Sequence, residues 1–345
     1  MITARGLVQT FSTKQGRTRR EVRAVDGVDL DVAEGEVVGF LGPNGAGKTT
    51  TLRMLTTLLR PTEGTATVAG HDVVRESQAV RRSIGYVSQA GGTFSMARAG
   101  DEVVDHGMLY GMSRAAATAR GQELFEQLDL PGLWQRTPKQ MSGGQKRRLD
   151  IVMGLIHDPT LVFLDEPTTG LDPQARANLW EHIARLRSER GATGFLTTHY
   201  LDEADALADR IMIIDRGRIV ASDTAENLKA AVSGDLVTLE VADPLRLGDA
   251  ATALGGIAQA VEVEGRLVSG RVARAGRAVP GLVRELDRTG ITLDAIEVHR
   301  PTLDDVFLTL TGRSLRDAAE GAQGAGGAEP DAAADAVPDL QGADR

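Results

Sequence analysis

Residues 42–50 read GPNGAGKTT, three glycines around one lysine and then two hydroxyls. Glycine is a poor helix former, yet the stretch directly follows the apolar run Val37-Val38-Gly39-Phe40-Leu41. Leu52, Met54, Leu55, Leu58 and Leu59 then recur at helical spacing. A strand that ends in a glycine-rich turn and then a helix leaves several backbone N–H groups unpaired, with the positive end of the helix dipole behind them. Such a place suits a polyphosphate. The stretch fits G-x-x-x-x-G-K-[ST], with Gly42, Gly47, Lys48 and Thr49 in the fixed positions and Pro43, Asn44, Gly45, Ala46 and Thr50 completing the cradle. The competing reading is a flexible glycine-rich turn; the strand before and the helix after favour the cradle.

Working outward, further apolar runs end in polar residues. Residues 83–89 (SIGYVSQ), 161–167 (LVFLDEP) and 194–200 (GFLTTHY) read as short buried strands. Residues 211–222 (IMIIDRGRIVAS) read as a hairpin turning at Arg216-Gly217. Residues 97–150 look helical, with Ser113 capping one run and Gly132 breaking it, so strands alternate with helices. That alternation predicts an α/β sheet whose carboxyl ends carry the site. Before it, the alternation in residues 25–32 and the turn at Glu34-Gly35 argue for antiparallel β-structure. The basic segment STKQGRTRREVR (12–23) reads as a solvated hairpin tip, with phosphate or lipid contact as the alternative.

Around residue 223 the character changes. VTLEVADP (237–244) and VEVEGRLVSGRVA (261–273) alternate as strands, the latter turning at Glu264-Gly265. VPGLVRELDRTG (279–290) reads as a short helix closed by Gly290, and ITLDAIEV (291–298) as another strand. Thr302-Leu303-Asp304-Asp305 resembles a capping box. The expected division is a main domain over 1–222 with a helical part at about 90–150, a small α+β accessory domain over 223–312, and a tail over 313–345.

The 345 residues suffice for a large domain and a smaller one. Hydrophobic residues at 41% and charged residues at 25% are ordinary for a globular protein. The chain has no cysteine, which excludes disulfides and thiolate chemistry and fits a reducing compartment. MITARGLVQTF lacks the apolar core of a signal peptide, and no segment approaches a spanning length of apolar residues. A role at a membrane would need another polypeptide to provide the span. Residues 317–345 carry seven acids and one base, so most of the net charge of −9 sits in a tail that is otherwise rich in alanine, glycine and proline. The tail reads as disordered, with an acidic interaction segment as the alternative. The nearly neutral remainder offers no basic field for nucleic acid.

Phosphoryl transfer needs positioning and charge neutralisation more than covalent work by the protein. Lys48 would reach the β- and γ-phosphates and Thr49 would place its hydroxyl on Mg²⁺. A carboxylate at a strand end should join it, and Asp165 is the candidate, with Glu166 beside it to orient or deprotonate the attacking water. His199 could hydrogen-bond the γ-phosphate or be a structural partner. Gln89 could contact the attacking water or Mg²⁺, or be an exposed loop residue. Residues 141–148 read MSGGQKRR before an apolar-periodic helix. Ser142, Gly143 and Gly144 make a second anion cradle without a lysine or a metal ligand, which suggests that it completes a site on another subunit.

With these residues in view, the chain resembles the nucleotide-binding subunits of ABC transporters. GPNGAGKTT matches the family's Walker A, Gln89 its Q-loop, and MSGGQ through Gln145 its signature, with Met141 for the usual leucine. LVFLDE matches Walker B, Thr169-Gly170-Leu171-Asp172 the D-loop and His199 the switch histidine, all in the family's order over residues 1 to 222. The resemblance implies a P-loop NTPase fold and a homodimer sandwiching two ATP. It also implies Mg²⁺ held with Thr49, Asp165 and Gln89. Phe11 stands where an adenine-stacking aromatic is expected; core packing is its other reading.

RPTLDDVFLTLTG (300–312) and HYLDEADALADRI (199–211) resemble daunorubicin/doxorubicin-resistance-type exporter ATPases, which pair with a separate ABC-2 membrane subunit. Residues 90–113 match the family's membrane-facing segment only loosely. The resemblance implies export of a hydrophobic compound, a drug, antibiotic or lipid, powered from the cytoplasmic face of the membrane by a peripheral subunit without nucleic-acid partners. The alternative is a soluble ABC ATPase acting on ribosomes or DNA. Such proteins carry two cassettes or a long coiled coil, and residues 49–141 show no sustained heptads.

Overall fold

The computed structural model describes residues 1–15, 18–94, 96–232 and 234–314. The strands are β1 (Ile2–Gln15), β2 (Thr18–Val32), β3 (Val37–Leu41), β4 (Glu63–Val68), β5 (His71–Asp72), β6 (Ile84–Val87), β7 (Leu161–Asp165), β8 (Thr193–Thr198), β9 (Arg210–Asp215), β10 (Arg218–Asp223), β11 (Asp235–Val241), β12 (Ala258–Glu264), β13 (Leu267–Val272) and β14 (Leu293–His299). The helices are α1 (Lys48–Leu55), α2 (Ser77–Ser83), α3 (Ala99–Leu109), α4 (Arg114–Gln127), α5 (Gly143–Leu155), α6 (Pro173–Arg190), α7 (Leu201–Leu207), α8 (Ala225–Ala231), α9 (Leu247–Gly255), α10 (Ala275–Arg288) and α11 (Leu303–Thr311).

Every residue of β3 and β7 is buried, which is why both read as unbroken apolar runs. They belong to a six-stranded sheet of order β10-β9-β3-β8-β7-β6. β3 pairs in parallel with β8 and β9, and β7 with β6 and β8, so the carboxyl ends of five adjacent strands open on one edge. β10 runs antiparallel along the margin, joined to β9 through Arg216 and Gly217, both at positive φ as a tight hairpin turn requires.

One face of this sheet packs on the antiparallel sheet β2-β1-β4-β5, whose Leu7, Val25 and Leu30 share a core with Phe40, Phe163 and Met212. The other face packs on α5 and the helical layer around it, where Leu149, Ile151 and Leu155 meet Val162, Leu164 and Leu196. β1 and β2 stay paired out to Gln15 and Thr18. The tip between them at residues 16–17, and the expected disordered tail from 315 onward, lie outside the described residues.

The later chain makes a second antiparallel sheet, β12-β13-β11-β14, with its own core of Val237, Leu239, Val268, Leu254 and Leu286 under α9 and α10. α8 and α11 pack elsewhere. Leu228, Leu303, Val306 and Phe307 join Leu41, Ile211 and Ile213 beside the six-stranded sheet. Asp305 accepts from Thr302 N in the capping box and pairs with Arg271 of β13 at 3.0 Å, fastening α11 to the small sheet.

Three local features differ from the sequence expectation. α1 ends at Leu55; β-branched Thr57 turns into the left-handed region at φ 65°, and Leu58 is exposed. α10 begins at Ala275, five residues before Pro280. α9 has no counterpart in the sequence expectation, although Ala250 and Leu254 are buried four residues apart on one face; it is only nine residues long and holds Gly248 and Gly255. Among the described residues no helix is long and apolar enough to cross a membrane.

Phe195 is fully buried and its ring lies 5.4 Å from that of Phe40 and 5.7 Å from that of Phe163. Phe195→Ala should therefore cost about 3–5 kcal/mol of stability, read as a lower urea midpoint.

Candidate functional site

Gly42 ends β3 with no room for a side chain: a Cβ there would stand 2.3 Å from the Ile214 carbonyl oxygen. Gly47 takes φ 106°, open to glycine without strain, and caps α1. The first N–H groups of α1 consequently open onto the loop 42–47. Lys48, buried at the head of the helix, points back through it. Its Nζ donates to the carbonyls of Gly42 at 2.9 Å and Pro43 at 3.2 Å and lies 3.3 Å from Glu166 Oε1. Burial lowers the pKa of this ammonium against the pull of Glu166.

Asp165 closes β7. Its Oδ1 accepts from Thr197 Oγ1 at 2.6 Å and from Thr49 Oγ1 at 3.2 Å. Burial raises its pKa, and the two hydroxyls oppose the rise. A hydroxyl and a carboxylate oxygen facing each other are the hard donors that Mg²⁺ takes when phosphates and waters complete its shell. The residues fit that ion.

Glu166 turns the chain at φ 44°, an unusual angle for a residue with a side chain. Its N–H donates to the Thr197 carbonyl at 3.1 Å. Its Oε2 accepts from Gln89 Nε2 at 2.9 Å and Thr169 Oγ1 at 3.0 Å. His199 follows β8 directly, with Nδ1 3.3 Å from the same oxygen but too oblique for a good hydrogen bond. Burial by itself would raise the pKa of Glu166; the neighbouring His199, Lys48 and Thr169 outweigh it and hold the carboxyl at about 2. Four loops thus bring Lys48, Thr49, Gln89, Asp165, Glu166 and His199 to one point.

The second cradle lies elsewhere. Ser142 Oγ accepts from Gln145 N at 3.2 Å and Gln145 Oε1 from Ser142 N at 2.9 Å, a capping box that shapes the first turn of α5. Ser142, Gly143 and Gly144 line a groove of about 260 Å³ with Gly170, Leu171 and Asp172. Asp172 itself caps α6, accepting from Ala175 N at 2.9 Å. None of residues 42–50 is among the lining residues of that groove. Phe11 stands half-buried on β1 opposite Val22. Gly45, Ala46 and Thr50 sit where the loop pattern puts them, with Ala46 accepting from Gly217 N at 2.9 Å.

Sequence reasoning passed over Thr197 and Arg147, and placed Thr169 in the D-loop motif without its bond to Glu166. Thr197 carries no pattern that separates it from other strand-end hydroxyls. Arg147 does carry one: it shares a helical stripe with Ile151 and Leu155, where a charge has no business unless it is paired.

A complete phosphate cradle and a detached half-cradle on the same chain define an ATP-binding cassette. The description "ABC transporter" is that of the family model matching residues 25–169. The chain is 44% identical to the daunorubicin resistance ATP-binding protein DrrA3 of Streptomyces coeruleorubidus over 91% of its own length and 100% of that protein. It is 38% identical to the Nod factor export ATP-binding protein I of Paraburkholderia xenovorans, covering 86% of this chain and 95% of that one. The dimeric post-hydrolysis structure of the ATP-binding cassette MJ0796 bound to ADP and Pi aligns with a TM-score of 0.59 at 27% identity, over 65% of this chain and 98% of that one. The chain belongs to the daunorubicin/doxorubicin-resistance type of ABC transporter ATP-binding subunits, and it is an ABC-type ATPase.

The depressed pKa of Glu166 has a thermodynamic consequence. A carboxyl lowered from 4.5 to about 2 contributes stability that is present above 4.5 and lost as the pH falls through the lower value. The stability advantage of wild type over Glu166→Gln should shrink as the pH is lowered from about 5 toward about 3, measured by urea unfolding at each pH.

Proposed function

We propose that two copies of this chain close head to tail on two Mg²⁺-ATP, hydrolyse them, and so power export through a separate membrane subunit. The observation that carries this reading is the division of the site. The groups for the triphosphate gather around Lys48, while Ser142 and Gly144 open on another groove without a lysine. Each copy would supply the turn that the other lacks.

In this scheme the N–H groups of 42–50 and Lys48 bind the β- and γ-phosphates, and Phe11 stacks on the adenine. Thr49, Asp165 and Gln89 would hold Mg²⁺, which when bound would supply charge neutralisation for the transferring phosphoryl group. His199 contacts the γ-phosphate, and Glu166 orients and deprotonates the attacking water. Phosphate oxygens would compete with Glu166 for Lys48; weakening that pair raises the Glu166 pKa toward the range of a useful base. Ser142, Gly143 and Gly144, shaped by Gln145, close on the partner's γ-phosphate, and Asp172 lies at the seam.

Residues 1–222 would form the ATP-binding domain and 223–312 the accessory one. The region after Gln89 supports a membrane partner, which we assign to the ABC-2 class. Phe94, Met96 and Leu109 are 76%, 80% and 83% exposed there, apolar side chains that a partner would cover. That partner would hold the subunit at the cytoplasmic face of the membrane. Relatives named for drug resistance and for Nod factor export favour a hydrophobic cargo over a ribosome- or DNA-directed role.

Glu166→Gln should lower turnover on the order of 100-fold or more while ATP binding persists. Wild-type phosphate release by that variant refutes the role of Glu166. Ser142→Arg should abolish ATP-dependent dimerisation in size-exclusion chromatography, and an unchanged dimer would count against the shared site.

A further inference from the structure

Burying a guanidinium is costly unless its donors are met, and Arg147 on α5 is 6% exposed. Its donors reach main-chain carbonyls of two different segments. Nε donates to Pro167 at 2.6 Å, and Nη2 to Asp165 at 3.0 Å and Glu166 at 3.3 Å. Nη1 donates to Ser88 at 2.5 Å, one residue before Gln89. One turn further along α5, Asp150 Oδ1 accepts from Gly92 N at 3.0 Å, and Asp150 Oδ2 stands 3.8 Å from Arg147 Nη1. Gly91, at φ 77°, fits so closely that a Cβ would lie 2.9 Å from Asp150 Oδ2.

A single helix therefore grips the loop on both sides of Gln89 and the turn that carries Asp165 and Glu166. The grip bears on Glu166 most directly, because a left-handed φ persists only where the surroundings over-determine it. A planar fork that meets several carbonyls at once is something a lysine does not reproduce. The start of the same helix presents Ser142 and Gly144, within five residues of Arg147.

We infer that Arg147 is a positioning residue that couples the two half-sites: it ties the Gln89 loop and the Asp165-Glu166 turn, which serve the chain's own nucleotide, to the turn at Ser142 that serves the partner's. The inference rests on the shared-site reading above. Bound Mg²⁺-ATP that draws in Gln89 would then shift, through Arg147 and Asp150, the turn offered to the second nucleotide.

The test compares Arg147→Met and Arg147→Lys in the full chain, alone and combined with Glu166→Gln. Turnover of the single variants should fall on the order of 100-fold, with Arg147→Lys less affected. Binding of a fluorescent ATP analogue to the subunit should be unchanged. Mg²⁺-ATP-driven dimerisation in the Glu166→Gln background, read by analytical ultracentrifugation, should weaken on the order of tenfold or more. Wild-type turnover, or a loss of nucleotide affinity as large as the loss of dimerisation, overturns the inference. If Arg147→Met does not fold, Asp150→Ala, which removes the acceptor for Gly92 N, should show the same split between binding and dimerisation, and its absence counts the same way. Failure of Glu166→Gln alone to dimerise with ATP would sink the shared-site reading and this inference together. Normal dimerisation of Glu166→Gln with unaltered Arg147 and Asp150 variants would sink this inference alone.

Discussion

The buried pair of Lys48 and Glu166, 3.3 Å apart, is the constraint around which the site is arranged. Removing either partner strands a charge away from water, which is strongly destabilising, so both must be delivered to the same point. One comes from the head of α1 and the other from the turn after β7. That requirement sets the order of the sheet. β3 and β7 flank β8, which contributes Thr197 from between them and is followed directly by His199.

The surrounding layers follow from the need to bury such a sheet on both faces. The antiparallel sheet covers one face through Leu7, Val25 and Leu30, and its β2 runs past the phosphate loop, where the Ala24 carbonyl leaves Gly47 no space for a side chain. The helical layer covers the other face and also carries the second cradle. α5 buries Leu149, Ile151 and Leu155 against the sheet while its exposed first turn carries Ser142 and Gly143. The element that closes the core would thus, in the proposed dimer, also face the partner, and Arg147 lies where the two roles meet. α11 makes a comparable joint later in the chain, with Phe307 in the core beside the main sheet and Asp305 paired to the small one.

Much of this was legible in the residues themselves. GPNGAGKTT after an apolar run marked the strand, the loop and the start of α1, because only a backbone free of side chains can wrap a phosphate. LVFLDEP marked the strand end bearing Asp165 and Glu166, and MSGGQ marked the start of α5. The capping box at Thr302 appears as expected. The extent of α1 was less legible, since Leu58 and Leu59 continue the apolar spacing past the point where Thr57 leaves the helix. So was α9, only nine residues long with Gly248 and Gly255 near its ends, where glycine argues against a helix.

Spacing along the chain determined which residues could serve a nucleotide, because each motif is a local requirement for free N–H groups, a cation or a carboxylate. Only the tertiary structure decided which of them meet. It put Gln89, Thr169 and His199 around one carboxylate oxygen, drew the Glu166 pKa to about 2, and left Ser142 in a separate groove. It also assigned Arg147, three positions after Gly144, to carbonyls 18 to 20 and 59 residues away in sequence. A guanidinium chooses partners by distance and desolvation in the folded chain, and neither quantity is written in the order of the residues.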